Sequence, residues 1–193
     1  KKAHKLAFAE VAPLTNLGQT MFYKQDWSSA WSYCMQGLER EKNHTPLWKL
    51  AYTILEKTTD NPSVNLKKLF RKYNSWKGCS LYIHIENSLS DDEKVDLMNT
   101  FYLDGEESDE FLIEYTAVLG VCKKFKDIQK IIWKKTSLNT EQLHWKLAIH
   151  QIQAQFELNQ VTEFNYNAKK LLQRQDLPQE ITSQISSMIN SLK

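Results

Sequence analysis

Two stretches near the start of the chain decide its fold class, and they read Gln25-Asp26-Trp27-Ser28-Ser29-Ala30-Trp31 and Thr45-Pro46-Leu47-Trp48-Lys49-Leu50-Ala51-Tyr52-Thr53-Ile54-Leu55. Both repeat apolar residues every three or four positions, which places them on one face of a helix. Each face combines bulky tryptophan with small alanine, a pairing that lets neighbouring helices pack closely. We therefore predict that the helices pack through Trp27, Ala30, Trp31, Trp48, Leu50 and Ala51.

Capping residues and apolar periodicity extend this pattern along the chain. Asp26 is a predicted N-cap, Thr45 before Pro46 predicts a second helix start, and Ser90 with Glu93 predicts a third. The resulting predicted helices cover residues 14–22, 27–38, 45–55, 64–77, 79–87, 91–103, 109–123, 126–136, 140–157, 160–174 and 178–192.

Some of these boundaries depend on single residues. Gly78 is expected to end the helix 64–77. The segment 79–87 alternates loosely between apolar and polar residues, and we favour a helix there because a lone strand would have no partner. Thr140 with Glu141, and Pro178 after Asp176, predict the last helix starts.

Antiparallel helix pairs joined by short turns are the unit of tetratricopeptide-like arrays. We predict one all-α helical-repeat domain of stacked antiparallel helix pairs over residues 1–193, with a front segment (residues 1–103), an acidic loop (residues 104–110) and a back segment (residues 111–193). Only 5 glycines and 4 prolines occur, which argues against an all-β fold. A weak match between Tyr115-Thr116-Ala117-Val118 and Lys146-Leu147-Ala148-Ile149 suggests a 31-residue repeat.

The chain lacks sequence signatures of catalysis. It has no Gly-rich phosphate loop and no HExxH motif, and His144 and His150 are spaced for poorly matched helix faces. The isolated Cys34, Cys79 and Cys122 are expected to be buried thiols of a reducing compartment. We therefore expect a protein that is not an enzyme, with no cofactor, no metal site and no small-molecule substrate. The acidic loop 104–110 is expected to be solvated, and no apolar run is long enough to span a bilayer.

Two basic stretches are candidates for contact with a partner or a nucleic acid. Basic side chains interleaved with aromatic rings suit a phosphate backbone with exposed bases, although the rings can equally be core and the lysines a solvated face. The candidate contact residues are Lys67, Lys68, Arg71 and Lys72 in the first stretch and Lys123, Lys124 and Lys126 in the second.

The later tryptophans are ambiguous between core and surface. Trp133 follows Ile131-Ile132 and is expected to lie in the core. Some of Trp76, Trp133 and Trp145 are nonetheless candidates for exposed partner anchors, because tryptophan is enriched at interface hot spots.

The segment from Leu17 to Leu55 resembles the helical-repeat subunit of the yeast RNA polymerase I core factor, and the corresponding TBP-associated subunit of the animal selectivity factor. The shared pattern is a helix, then polar-polar-Trp with a nearby alanine, as in Gln25-Asp26-Trp27-Ser28-Ser29-Ala30. An aliphatic-Trp-Lys-Leu sequence and an Ile-Leu pair follow, here Leu47-Trp48-Lys49-Leu50 and Ile54-Leu55, and then an amphipathic helix like Leu66 to Trp76.

The resemblance implies a scaffold in the nucleus and nucleolus. Such a subunit would hold a TFIIB-like subunit and a propeller-bearing subunit, together with TBP, at the ribosomal DNA promoter. It implies no catalytic residue. The basic residues of the helix 64–77 are, from the sequence itself, the candidate surface for contact with DNA or with an acidic partner. Two alternatives stay open: an organellar RNA-binding protein of pentatricopeptide type, which the basic helices and the repeat favour, and a helical-repeat scaffold of another multiprotein assembly.

Overall fold

A computed structural model of the chain describes residues 2–138 and 143–192, with side chains described over 11–137 and 143–192. These residues form eleven α-helices and no strand. The helices are α1 (Lys2–Tyr23), α2 (Trp27–Arg40), α3 (Thr45–Thr58), α4 (Pro62–Tyr73), α5 (Trp76–Ile85), α6 (Asp91–Leu103), α7 (Asp109–Val121), α8 (Phe125–Leu138), α9 (Trp145–Glu157), α10 (Val161–Leu172) and α11 (Gln179–Ser191). The predicted all-α fold of packed antiparallel helix pairs is confirmed.

The helices form two compact units, a front unit up to Phe101 and a back unit from Tyr102 onward. In the front unit α3 is the central helix, because it contacts α1, α2, α4 and α5. Its Trp48 is 1% exposed, and the Trp48 indole N–H donates a 2.7 Å hydrogen bond to the Lys42 carbonyl. The back unit stacks α7 to α11 in sequence, and the core beneath α9 to α11 is formed by Ile152, Phe164, Ala168, Leu171 and Ile185.

The prediction that one helix runs to Lys77 and ends at Gly78 is wrong. Helix α4 ends at Tyr73, because Asn74 adopts the left-handed conformation with φ 46°. Ser75 then caps α5, its hydroxyl accepting from the Gly78 N–H at 3.2 Å. Gly78 therefore lies in the first turn of α5. The favoured helical interpretation of residues 79–87 is confirmed as far as Ile85.

The predicted caps have mixed outcomes. Asp26 caps α2 by accepting from the Ser29 N–H at 3.1 Å, and Ser90 forms a reciprocal capping box with Glu93. Thr45 is not a cap, because it already belongs to α3 and follows the N-cap position His44. The helix start predicted at Thr140 and Glu141 lies outside the described residues; α9 begins at Trp145.

Within the described ranges, the same tight turn joins four helix pairs. Its left-handed residue is Gln25, Asn74, Lys123 or Asn159, with φ between 46° and 60°. In each turn the next residue donates its backbone N–H to a carbonyl five positions earlier, at 2.8–3.1 Å. The turns at 123 and 159 are 36 residues apart, as are the starts of α7 at 109 and α9 at 145. The structural period is thus 36 residues, and the 31-residue sequence match does not align the helices.

Candidate partner-binding groove

An open groove of about 530 Å³ lies between α2 and α4, with the second half of α3 as its floor. We call it the α2–α4 groove. Its lining residues are Trp27, Ser28, Trp31, Ile54, Leu55, Thr58, Thr59, Asn65, Lys68, Leu69 and Lys72. The groove therefore combines two tryptophans from the predicted packing set with two lysines from the first predicted basic stretch.

The tryptophan wall is only half-buried. Trp27 opens α2 directly after the Asp26 cap, and its ring meets the Phe22 ring edge-on at a centroid distance of 5.0 Å. Trp31 lies one turn further along α2. The residue between them, Ala30, is fully buried, as is Ala51 of α3. Ala30, Trp48, Leu50 and Ala51 are thus buried. Trp27 and Trp31, by contrast, also present ring surface to the groove.

The opposite wall is basic. Lys68 and Lys72 are exposed and lie four residues apart on α4, so they sit one above the other. Among the residues that the structure describes, neither lysine forms an ion pair, and no Asp or Glu lines the groove. The Lys72 ammonium lies 5.1 Å from the centroid of the Tyr73 ring. The groove is therefore an apolar surface bordered by positive charge.

The first basic stretch does not act as a single patch. The Lys67 ammonium lies 5.6 Å from the centroid of the Tyr82 ring in α5, and Lys67 is half-buried. Hydrogen bonds from Ser88 and Ser63 lower the pKa of Glu86, and the charge of Lys67 lowers it further. Lys67 is therefore directed toward α5, and Lys68 and Lys72 line the α2–α4 groove.

The second basic stretch continues along α8 to Lys134 and Lys135, and this later part is neutralised by acidic residues of its own unit. Lys134 forms a 2.6 Å ion pair with Glu107, and Lys135 forms a 2.9 Å ion pair with Asp109. The predicted solvated loop 104–110 is thus tied to α8 by salt bridges. Among the candidate contact residues, Lys123 and Lys126 are exposed and Lys124 is half-buried.

The prediction that Trp133 belongs to the core is wrong, because this side chain is 73% exposed. Helix α8 buries Ile128, Ile131 and Ile132, and that narrow face leaves position 133 on the outside. Trp76 is buried in α5, and Trp145 is half-buried. Of these three tryptophans, Trp133 is thus the exposed one.

A polar pair in the back unit could not be found from the sequence, because its members are 34 residues apart. The Thr116 hydroxyl lies 2.6 Å from Nδ1 of His150, and it lies 2.7 Å from the Leu112 carbonyl, to which it donates. Burial lowers the pKa of His150, and the nearby charge of Lys146 lowers it further. The pair is therefore a neutral hydrogen-bonded contact between α7 and α9.

The buried thiols are confirmed, since Cys34, Cys79 and Cys122 are all buried and none of the three forms a disulfide. Burial raises the pKa of both Cys34 and Cys79 to about 12, which keeps these thiols protonated and unreactive at neutral pH. Over the residues that the structure covers, no three His, Cys, Asp or Glu side chains are grouped to hold a metal ion. No helix in the described ranges has the length and apolar character to cross a bilayer.

The chain matches no protein-family model, and comparisons with curated proteins and with solved structures give no match.

Proposed function

We propose that this protein is a non-enzymatic helical-repeat scaffold that binds protein partners through the α2–α4 groove. The groove itself carries the proposal, because it presents half-buried tryptophans beside lysines that no carboxylate of the lining neutralises. Aromatic side chains in partly desolvated pockets are the usual anchors of protein interfaces. The packed helices of the front unit provide the rigid frame that such a surface needs.

The assembly that fits best is the initiation complex of RNA polymerase I. The support is the tryptophan pattern from Leu17 to Leu55, which encodes the α2 and α3 sides of the groove. In this assignment the protein acts in the nucleolus and holds a TFIIB-like subunit and a propeller-bearing subunit, together with TBP, at the ribosomal DNA promoter. The proposed DNA contact falls to the exposed side chains of Arg71, Lys123 and Lys126, because Lys68 and Lys72 border the protein-binding groove.

Affinity capture of the tagged full-length protein from its own cells tests this function. The bait is washed at moderate and then high salt, and the retained proteins are identified by mass spectrometry. The proposal predicts recovery of a TFIIB-like protein, a propeller protein and TBP. Recovery of organellar RNA with its processing machinery would contradict the scaffold function and favour the RNA-binding one. Recovery of a different stable protein complex would keep the scaffold function but contradict the assignment to the RNA polymerase I initiation complex.

Two charge variants connect the captured proteins to the groove. Lys68→Glu with Lys72→Glu is expected to lose the partners at moderate salt, because negative charges then replace the positive ones that border the groove. Lys169→Glu with Lys170→Glu changes the same number of exposed charges in α10 and is expected to retain them. Equal recovery by both variants would remove the groove from the proposed function.

A further inference from the structure

We infer that the occupant of the α2–α4 groove is an acidic amphipathic helix of a protein partner. This inference rests on the proposed scaffold function and adds the chemistry of the bound segment. It follows from three properties of the groove: an aromatic wall, an aliphatic floor, and a basic wall with a fixed spacing of charges.

The apolar part of the groove selects large apolar side chains. Trp27 and Trp31 lie one helical turn apart on one wall, and Ile54, Leu55 and Leu69 complete the apolar lining. Half-buried tryptophans gain further burial when a partner covers them, and this gain is the main source of affinity at interface hot spots. A helix that presents apolar residues at three- and four-residue spacing matches such a surface.

The charged part of the groove selects carboxylates. Lys68 and Lys72 are separated by slightly more than one helical turn, roughly 6 Å along the axis of α4. Acidic residues four positions apart on a bound helix have the same separation and can meet both ammonium groups. Since no carboxylate of the described residues lines the groove, the partner supplies the charges that complement it.

A protein segment fits the lining better than a nucleic acid does. A groove that follows a phosphate backbone needs a row of cations and flat faces on which bases stack. Trp27 and Trp31 offer aromatic faces, but two ammonium groups are not a row of cations, and the floor between the walls is branched aliphatic. The neighbouring Lys67 is directed to Tyr82 instead. Branched aliphatic side chains pack against apolar side chains and not against stacked bases.

Fluorescence anisotropy with two designed peptides tests the inference on the full-length protein. Both labelled peptides are amphipathic helices with the same leucine and phenylalanine face. One carries glutamates at four-residue spacing beside that face, and the other carries lysines at the same positions. The wild-type protein is expected to bind the glutamate peptide about tenfold more tightly, with a preference that shrinks as salt is added.

Charge exchange in the groove provides the decisive comparison. Lys68→Glu with Lys72→Glu is expected to reverse the preference toward the lysine peptide. The milder pair Lys68→Gln with Lys72→Gln is expected to abolish the preference without reversing it. Trp31→Ala is expected to weaken the binding of both peptides equally. Lys169→Glu with Lys170→Glu is expected to leave the affinity for both peptides unchanged. Thermal unfolding of each variant confirms that it is folded.

Absence of a glutamate preference in the wild-type protein would overturn the inference, and so would either of two further results. One is a glutamate preference that persists after charge reversal at Lys68 and Lys72. The other is displacement of the bound peptide by a single-stranded oligonucleotide that itself requires both lysines, which would assign the groove to nucleic acid. Because purified components are used, peptide binding can succeed even if capture from cells fails to recover the initiation proteins. If capture recovers the initiation proteins but the purified protein shows no preference for the glutamate peptide, the scaffold function stands and the acidic helix is rejected as its occupant.

Discussion

Gly78 of α5 lies so close to Trp48 of α3 that a β-carbon at position 78 would sit 2.8 Å from the indole ring. The same β-carbon would lie 2.8 Å from Cβ of Phe70 in α4. The missing side chain of Gly78 therefore lets three helices of the front unit meet around one buried tryptophan.

Replacing Gly78 with alanine is expected to destabilise the front unit by about 1–3 kcal/mol, because neither the indole ring nor the Phe70 β-carbon can move aside cheaply. Gly120→Ala in α7 is the matched control, since its β-carbon would meet only Ile128, at 3.9 Å. Gly120→Ala is expected to leave the free energy of unfolding unchanged or to raise it by about 0.5–1 kcal/mol, because alanine has the higher helix propensity. Urea unfolding measures both, and equal stability of the two variants would contradict the close packing at Gly78.

Trp48 and Trp133 are expected to respond very differently to truncation. Trp48→Ala removes a side chain that is 1% exposed and hydrogen-bonded to Lys42, so we expect a loss of about 3–5 kcal/mol. Trp133→Ala removes a side chain that is 73% exposed and is expected to change stability by no more than about 0.5 kcal/mol. Thermal unfolding followed by circular dichroism compares them, and an unchanged transition for Trp48→Ala would mean that this side chain is exposed.

The left-handed turn positions are sites where glycine is expected to stabilise the protein. Lys123 has φ 57°, a conformation that costs a residue with a β-carbon about 1–2 kcal/mol. Lys123→Gly is therefore expected to gain about 0.5–1 kcal/mol after the entropy cost of glycine is subtracted. Lys49→Gly, on the exposed side of α3, is the control and is expected to lower the free energy of unfolding by about 1 kcal/mol. A loss of stability in Lys123→Gly would contradict the left-handed turn.

The stability of the protein is expected to fall in mild acid because of His150. Its pKa in the folded state lies below the ordinary value of 6.5, so the unfolded chain binds the proton more readily. The contribution of His150 is full above pH 6.5 and is lost as the pH falls toward the folded-state pKa. His150→Gln is expected to remove this part of the pH dependence, and urea unfolding between about pH 7.5 and 5.5 measures it. Identical pH profiles for the two proteins would contradict the buried neutral imidazole.

The sequence predicts helix starts well where the residues that cap them lie close together in the chain. The Asp26 cap and the Ser90–Glu93 capping box depend on residues three positions apart, and the sequence shows them directly. The break between α4 and α5 is harder to place, because Gly78 is the stronger helix-breaking signal in this stretch. Asn74 in the left-handed conformation and the Ser75 cap determine the break instead.

The site is less predictable because it depends on how helices from different parts of the sequence meet. Periodicity places Trp27 and Trp31 on a packing face, but it cannot indicate that Lys68 and Lys72 lie across a groove from them. The Thr116–His150 contact is hard to predict for the same reason, because it joins α7 to α9 and the whole of α8 lies between them in the sequence.

Site-specific photocrosslinking in cells tests the central claim most directly, namely that a protein partner occupies the α2–α4 groove. A benzophenone amino acid replaces Ser28 or Thr58, which both line the groove and are exposed, and replaces exposed Thr162 of α10 as the control. We predict a protein crosslink at positions 28 and 58 that maps to an acidic segment and disappears when Lys68 and Lys72 are changed to glutamate. Crosslinking at positions 28 and 58 no stronger than at 162 would contradict the account.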